Sequence, residues 1–456
     1  MKQQIQSHNF FYSAFRPIVD FATRCHYNHL VIKGLENIPH NTPFIYAPCH
    51  QNAMMDPLVV LCTTRRPVVF LCRADIFKKK LAREILTFLK ILPVYRIRDG
   101  KSNLSKNEGI FQLTHQVLLD NVPLCLMAEG THNDKHQLLP LVKGMFRIAG
   151  ETQKLLGDNK DLFIVPVGLD YDDYERPFSN LVINIGTPIA ITPFMETYSS
   201  DEPVALNKMR QRLSEDLKSQ MLHIETHIHY DDVISACDIL TAKLLREKKQ
   251  RNNTWNRFLT RKEISARLDN SLVEVPENKD LSHLSQTLND YRSLCKSINL
   301  TPRATAERWS ALAVVTSLLC ITAAIAACCV SKTVLHIFLF AIACHPILFI
   351  PTHLAVRKAI SDTQFRSSIN FAVRFILCLL YIPAFSIVTG LNFGWLWGIS
   401  AFFSAIIIAR LSGPIYNWAY ALFNNLKYRF ATIFHSTKVS QIKTLEHDIL
   451  QRYNQL

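Results

Sequence analysis

His50 and Asp56 lie in the run Pro48-Cys49-His50-Gln51-Asn52-Ala53-Met54-Met55-Asp56-Pro57, directly after an apolar stretch at 43–47. A histidine that follows a strand, with an aspartate at the start of the next helix, can take a proton from an alcohol. The carboxylate then orients the ring and stabilises the imidazolium. Acyl transfer to a hydroxyl needs such a base. The same spacing also describes a surface histidine and a helix-capping aspartate, so these two residues do not decide the chemistry alone.

Three later segments carry further candidates. Arg73 ends the apolar run 68–72, where a planar guanidinium can hold a phosphate with two parallel hydrogen bonds. Glu129-Gly130-Thr131-His132 follows another apolar run, and Gly130 permits close approach of the backbone. Lys143 lies just before a helix whose N-terminus attracts anions. Pro166 lies inside Phe163-Ile164-Val165-Pro166-Val167-Gly168, which predicts a bend or an edge strand there.

The elements that must position these residues alternate. Short apolar runs at 30–32, 43–47, 68–72, 92–95, 123–127, 163–168 and 181–185 predict strands, and helical patterns occupy 55–62, 76–89, 104–120 and 145–156. Such alternation predicts an α/β domain with a mixed, mostly parallel sheet flanked by helices. Ligands in such sheets sit beyond the carboxyl ends of the strands, where His50, Arg73 and Glu129 fall.

Taken in order, His50…Asp56, Phe70-Leu71-Cys72-Arg73, Glu129-Gly130-Thr131 and Val165-Pro166-Val167-Gly168 resemble the four blocks of the phospholipid/glycerol acyltransferase superfamily. The resemblance covers roughly 25–190 and implies an α/β acyltransferase domain that needs no metal and no cofactor. It implies that His50 is the base and Asp56 its partner. Arg73, Glu129, Gly130, Thr131 and Lys143 would serve the acceptor phosphate, and Asn52 and Pro166 would shape the site or the acyl-donor side. The co-substrate would be acyl-CoA or acyl carrier protein. The common family spacing places four residues between the histidine and the aspartate, whereas this chain has five. The longer gap, with Asn52, Pro57 and Leu138-Leu139-Pro140-Leu141-Val142-Lys143-Gly144, is similar to the fungal-type glycerol-3-phosphate acyltransferase branch. A lysophosphatidic acid acyltransferase is the alternative, and a non-catalytic lipid-binding protein of the same fold a distant one. Many relatives carry Arg where this chain has His132, so a phosphate-binding charge is missing there; Lys143, Arg147 or a protonated His132 are the candidates to replace it.

The remainder of the chain predicts a membrane protein. An amphipathic membrane-associated helix is expected over 1–24, the acyltransferase domain over 25–200 and a helical linker over 201–305. Charges become scarce from Ala311 to Arg410. There a four-helix transmembrane region is expected at 311–330, 334–354, 371–389 and 391–409, each close to the ~20 residues a span needs. Arg374 is expected to reach out to the interface. Basic residues beside these spans predict that the catalytic domain and a tail at 413–456 are cytoplasmic. The expected partners are membrane lipid, a glycerol phosphate or lysolipid acceptor and the acyl thioester. The net charge of +14 is dispersed over 456 residues, with no nucleic-acid-binding signature. Twelve cysteines without a CxxC pair predict reduced thiols. His223, His227 and His229 have a spacing that suits a solvated helix end better than a metal site.

Overall fold

The computed structural model describes residues 4–95, 107–133, 135–225, 230–274, 279–301, 310–331 and 349–456. They divide into two compact units. The first comprises Met1–Arg24, Leu30–Leu222 and Asp362–Ser368, the second Cys25–His29, His223–Ser361 and Ile369–Leu456.

The first unit is built on an eight-stranded sheet. Its strands are β1 (Leu30–Lys33), β2 (Phe44–Pro48), β3 (Val69–Arg73), β4 (Ile91–Val94), β5 (Leu124–Cys125), β6 (Phe163–Tyr171), β7 (Leu181–Ile185) and β8 (Ile189–Ala190). The spatial order is β1-β7-β6-β2-β5-β3-β4, with β8 also on β6. From β6 to β4 every pairing is parallel, while β7 and β8 run antiparallel to β6. The carboxyl ends of β3, β5, β2 and β6 therefore share one edge of the sheet.

The helices of this unit are α1 (Phe10–His26, in the unit through Arg24), α2 (Met55–Leu61), α3 (Lys80–Phe88), α4 (Asn107–Leu119), α5 (Gly144–Leu156), α6 (Met195–Ser200) and α7 (Glu202–Gln220). Leu206, Met209, Leu213 and Leu217 repeat at helical spacing along α7 and join Ile45, Leu124, Phe146 and Ile164 in one core. The α/β unit thus runs through Leu222 rather than ending at 200. Phe10 and Phe11 of α1 are exposed, while Arg16 and Arg24 donate to the carbonyls of Leu61, Thr64 and Cys62 at the end of α2.

Pro166 lies within β6, opposite Ala47 of β2, so β6 is an interior strand and neither bent away nor an edge. Its missing N–H falls where the other side of β6 changes partner, from β8 at Phe163 and Ile164 to β7 from Val167 onward. Its carbonyl still accepts from Gly186. The proline stands opposite Gly186, just past the end of β7, so it costs a single bond at the end of that ladder.

The second unit is helical: α8 (Tyr230–Glu247), α9 (Thr254–Glu274), α10 (Lys279–Ser297), α11 (Ala311–Val330), α12 (Phe349–Ala359), α13 (Thr363–Phe393, in this unit from Ile369), α14 (Trp395–Phe434) and α15 (Ser436–Gln455). Segment 413–456 is not a tail. Tyr428 and Ala431 of α14 and Val439, Ile442 and Ile449 of α15 share a core with α8 and α10. Among the described residues two helices, Phe365–Phe393 and Trp395–Phe434, are long and apolar enough to cross a membrane, and a shorter apolar helix covers Ala311–Ala327. The expected span at 334–354 falls mostly outside the described residues. Arg374 is buried, with Tyr416 and Cys378 nearby.

Candidate active site

Strand β2 ends at Pro48, and Cys49 is pinned to β6 by its backbone N–H on the Val167 carbonyl. The next residue, His50, donates its backbone N–H to Glu129 Oε1 at 2.7 Å and accepts from Asn133 N on its carbonyl. Its Nδ1 lies 2.7 Å from Asp56 Oδ2. A carboxylate can only accept, so Nδ1 carries the hydrogen and Nε2 keeps a free lone pair. The His50 side chain is 15% exposed and Asp56 is fully enclosed, so the pair is reached only from the histidine side.

Asp56 lies in the first turn of α2, where the helix dipole favours a negative charge. Its Oδ2 also accepts the N–H groups of Gln51 and Asn52, each at 2.8 Å. Its Oδ1 accepts the Tyr171 hydroxyl at 2.5 Å. Four donors thus hold one buried carboxylate. Tyr171 is not among the site residues expected from the sequence, although the polar pair Asp170-Tyr171 directly after an apolar run signals that β6 reaches the same edge. Behind it, Tyr174 donates to Gln51 Oε1 at 3.1 Å, and His136 lies 3.4 Å from Asp170.

The Glu-Gly-Thr block divides its work. Glu129 is buried, and its second oxygen accepts Leu139 N–H at 2.8 Å. Burial pushes its carboxyl up to about 8, against the pull of the His50 and Leu139 N–H groups. That carboxyl is committed to two backbone donors, so it frames His50 rather than facing an acceptor phosphate. Gly130 has φ +63°, and a Cβ there would come 2.9 Å from Val142 Cγ1. Gly130 and Thr131 are exposed on the turn.

His132 packs edge-on against His50, with ring centroids 5.1 Å apart. Burial, then His50 and Arg73, hold its pKa below the ordinary histidine value, so it is neutral at pH 7. Arg73 ends β3 on the same edge and is exposed, with its guanidinium paired to Asp75. Lys143 is exposed immediately before α5. Arg147 lies 3.4 Å from Glu151 and 3.8 Å from Glu202. The Asn52 side chain is 1% exposed, and neither its oxygen nor its nitrogen has a protein partner among the described residues, so the site has a polar group for water or substrate to satisfy. Of the histidine cluster, His223 pairs with Glu225 at 2.8 Å, and His227 and His229 lie outside the described residues.

Residues 29–170 match the family described as Acyltransferase. A solved structure with a match is the 1-acyl-sn-glycerophosphate (LPA) acyltransferase PlsC from Thermotoga maritima. It is 19% identical, covers 45% of this chain and 79% of its own, and has a TM-score of 0.31. No curated protein matches the chain. The matched segment begins just before β1, ends at the penultimate residue of β6 and contains His50, Asp56, Arg73 and the Glu-Gly-Thr block, so residues 29–170 form an Acyltransferase-family domain.

Proposed function

We propose that this chain is a membrane-bound O-acyltransferase that moves a fatty acyl group from a thioester to a hydroxyl of glycerol-3-phosphate. The observation that carries the reading is the His50–Asp56 pair. Asp56 is held by four donors, and His50 Nε2 has no hydrogen-bond partner among the described residues. In the reaction, Nε2 takes the proton of the acceptor hydroxyl while its oxygen forms a bond to the thioester carbonyl carbon. The carbon–sulfur bond then breaks, and the leaving thiolate takes the proton back from the imidazolium. Asp56 stays ionised throughout and stabilises the charged ring.

Arg73 exchanges Asp75 for the acceptor phosphate, and Gly130, Thr131 and Lys143 supply the remaining polar surface of that subsite. Asn52 and Pro166 shape the loop and the strand beneath the dyad. The five-residue gap between His50 and Asp56 supports glycerol-3-phosphate over lysophosphatidic acid as acceptor. The apolar helices α13 and α14 support integral membrane association. Arg357, Lys358 and Arg366, between the spans expected from the sequence at 334–354 and 371–389, support a cytoplasmic catalytic unit and C-terminus, facing a soluble acyl-CoA or acyl carrier protein. The test is an acceptor and donor screen on the full chain in membranes. Transfer to glycerol-3-phosphate is expected to exceed transfer to lysophosphatidic acid; the reverse order would move the assignment to lysolipid acylation.

A further inference from the structure

Residues Asp362–Ser368 belong to the α/β unit although they follow its last strand, β8, only after α6 to α12. Three of their contacts land on segments that carry the site. The Phe365 ring stands at 88° to His132, with centroids 5.0 Å apart, on the ring that packs against His50. Arg366 Nη1 is 2.8 Å from Glu175 Oε2, in the loop that follows Tyr171. Ser368 Oγ accepts the N–H of Met54 at 3.0 Å.

Met54 lies inside the five-residue gap. The first half of that loop is tied down by Asp56, through the N–H groups of Gln51 and Asn52. The second half turns through Ala53 at φ +40°, a conformation that a residue with a side chain adopts at a cost. Ser368 takes the Met54 N–H just after that turn, so the longer loop is fixed at both ends. The three anchors are an aromatic edge, an ion pair and a single hydrogen bond. A merely packed helix end would instead bury an apolar face.

We propose that Asp362–Ser368 is part of the catalytic centre, with Phe365 and Ser368 as positioning residues that hold His132 and the His50–Asp56 loop in the geometry for transfer. The proposal rests on the acyl-transfer reading above. Displacing a base by about 1 Å can cost about 100-fold in rate, so loss of either contact is read in kcat.

The experiment uses the full chain in membranes, with thermal stability measured beside kcat and the KM of each substrate. Phe365→Leu keeps bulk but removes the ring, and is expected to lower kcat about tenfold with the donor KM within about twofold. Phe365→Tyr is expected to restore most of the rate. Ser368→Ala is expected to lower kcat about threefold and Ser368→Thr to recover it, and this pair decides the matter if Phe365→Leu does not accumulate. Folded Phe365→Leu and Ser368→Ala proteins with wild-type kcat and acceptor KM overturn the proposal, as does a loss of abundance with unchanged turnover per folded molecule. Absence of transfer by the wild type removes the acyl-transfer reading and this proposal with it, whereas wild-type transfer with silent variants removes this proposal alone.

Discussion

Tyr171 and Asp56 meet at the edge of the sheet, the phenol donating to Oδ1 at 2.5 Å while His50 uses Oδ2. The strand that ends at Tyr171 therefore sets the orientation of a carboxylate carried by a separate helix. A hydrogen bond to a buried charge contributes about 1.5–3 kcal/mol. Tyr171→Phe removes it without changing the ring. The expected outcome is a kcat lowered about tenfold with both KM values within about twofold, measured by steady-state transfer assays.

Glu129 gives the protein a pH dependence of stability. Its carboxyl stands at about 8 when folded, against an ordinary value of 4.5, so the folded chain holds more protons between those values. Stability is fully present below about pH 4.5 and falls as pH rises through about 8. Glu129→Gln cannot ionise. Thermal unfolding between pH 5 and 8 is expected to show this decline in the wild type and a flatter profile in the variant. Parallel profiles would remove Glu129 as the cause.

His132 is neutral at pH 7, so it supplies no charge to the acceptor phosphate in the free enzyme. His132→Arg introduces that charge beside His50, where a second cation disfavours the imidazolium. The acceptor KM is expected to fall severalfold while kcat drops about tenfold. Kinetics at pH 7.5 check the split, and an unchanged kcat would mean that a cation at position 132 is not felt at His50.

Gly130 combines a positive φ with a Cβ approach of 2.9 Å to Val142. Gly130→Ala is expected to destabilise the domain by about 1–3 kcal/mol, read as a drop in unfolding temperature. Val142→Ala in the same chain relieves only the steric part, so the double variant is expected to recover partially.

Much of this arrangement was legible in the sequence because it is local. Seven strands and the helices at α2, α4 and α5 announce themselves by apolar runs, and His50, Asp56, Arg73 and Glu129 each follow a run directly. Residue order also placed them on one edge, since parallel strands put their carboxyl ends together. What stayed hidden is non-local. Glu129 reads as a phosphate ligand until its two oxygens are found on backbone donors of distant residues. Pro166 reads as an edge because a sequence does not show where a strand changes partners. Phe365 and Ser368 carry no local pattern at all; only folding brings the start of α13 to His132 and Met54.

The most direct test of the central claim is transfer of a labelled acyl group from thioester to glycerol-3-phosphate by full-length wild type, His50→Ala and Asp56→Asn in membranes. Loss of a positioned general base costs about 100- to 10,000-fold, so both variants are expected to fold, insert and fall by that range. Transfer by folded His50→Ala within about tenfold of wild type would contradict the assignment of His50 as the base.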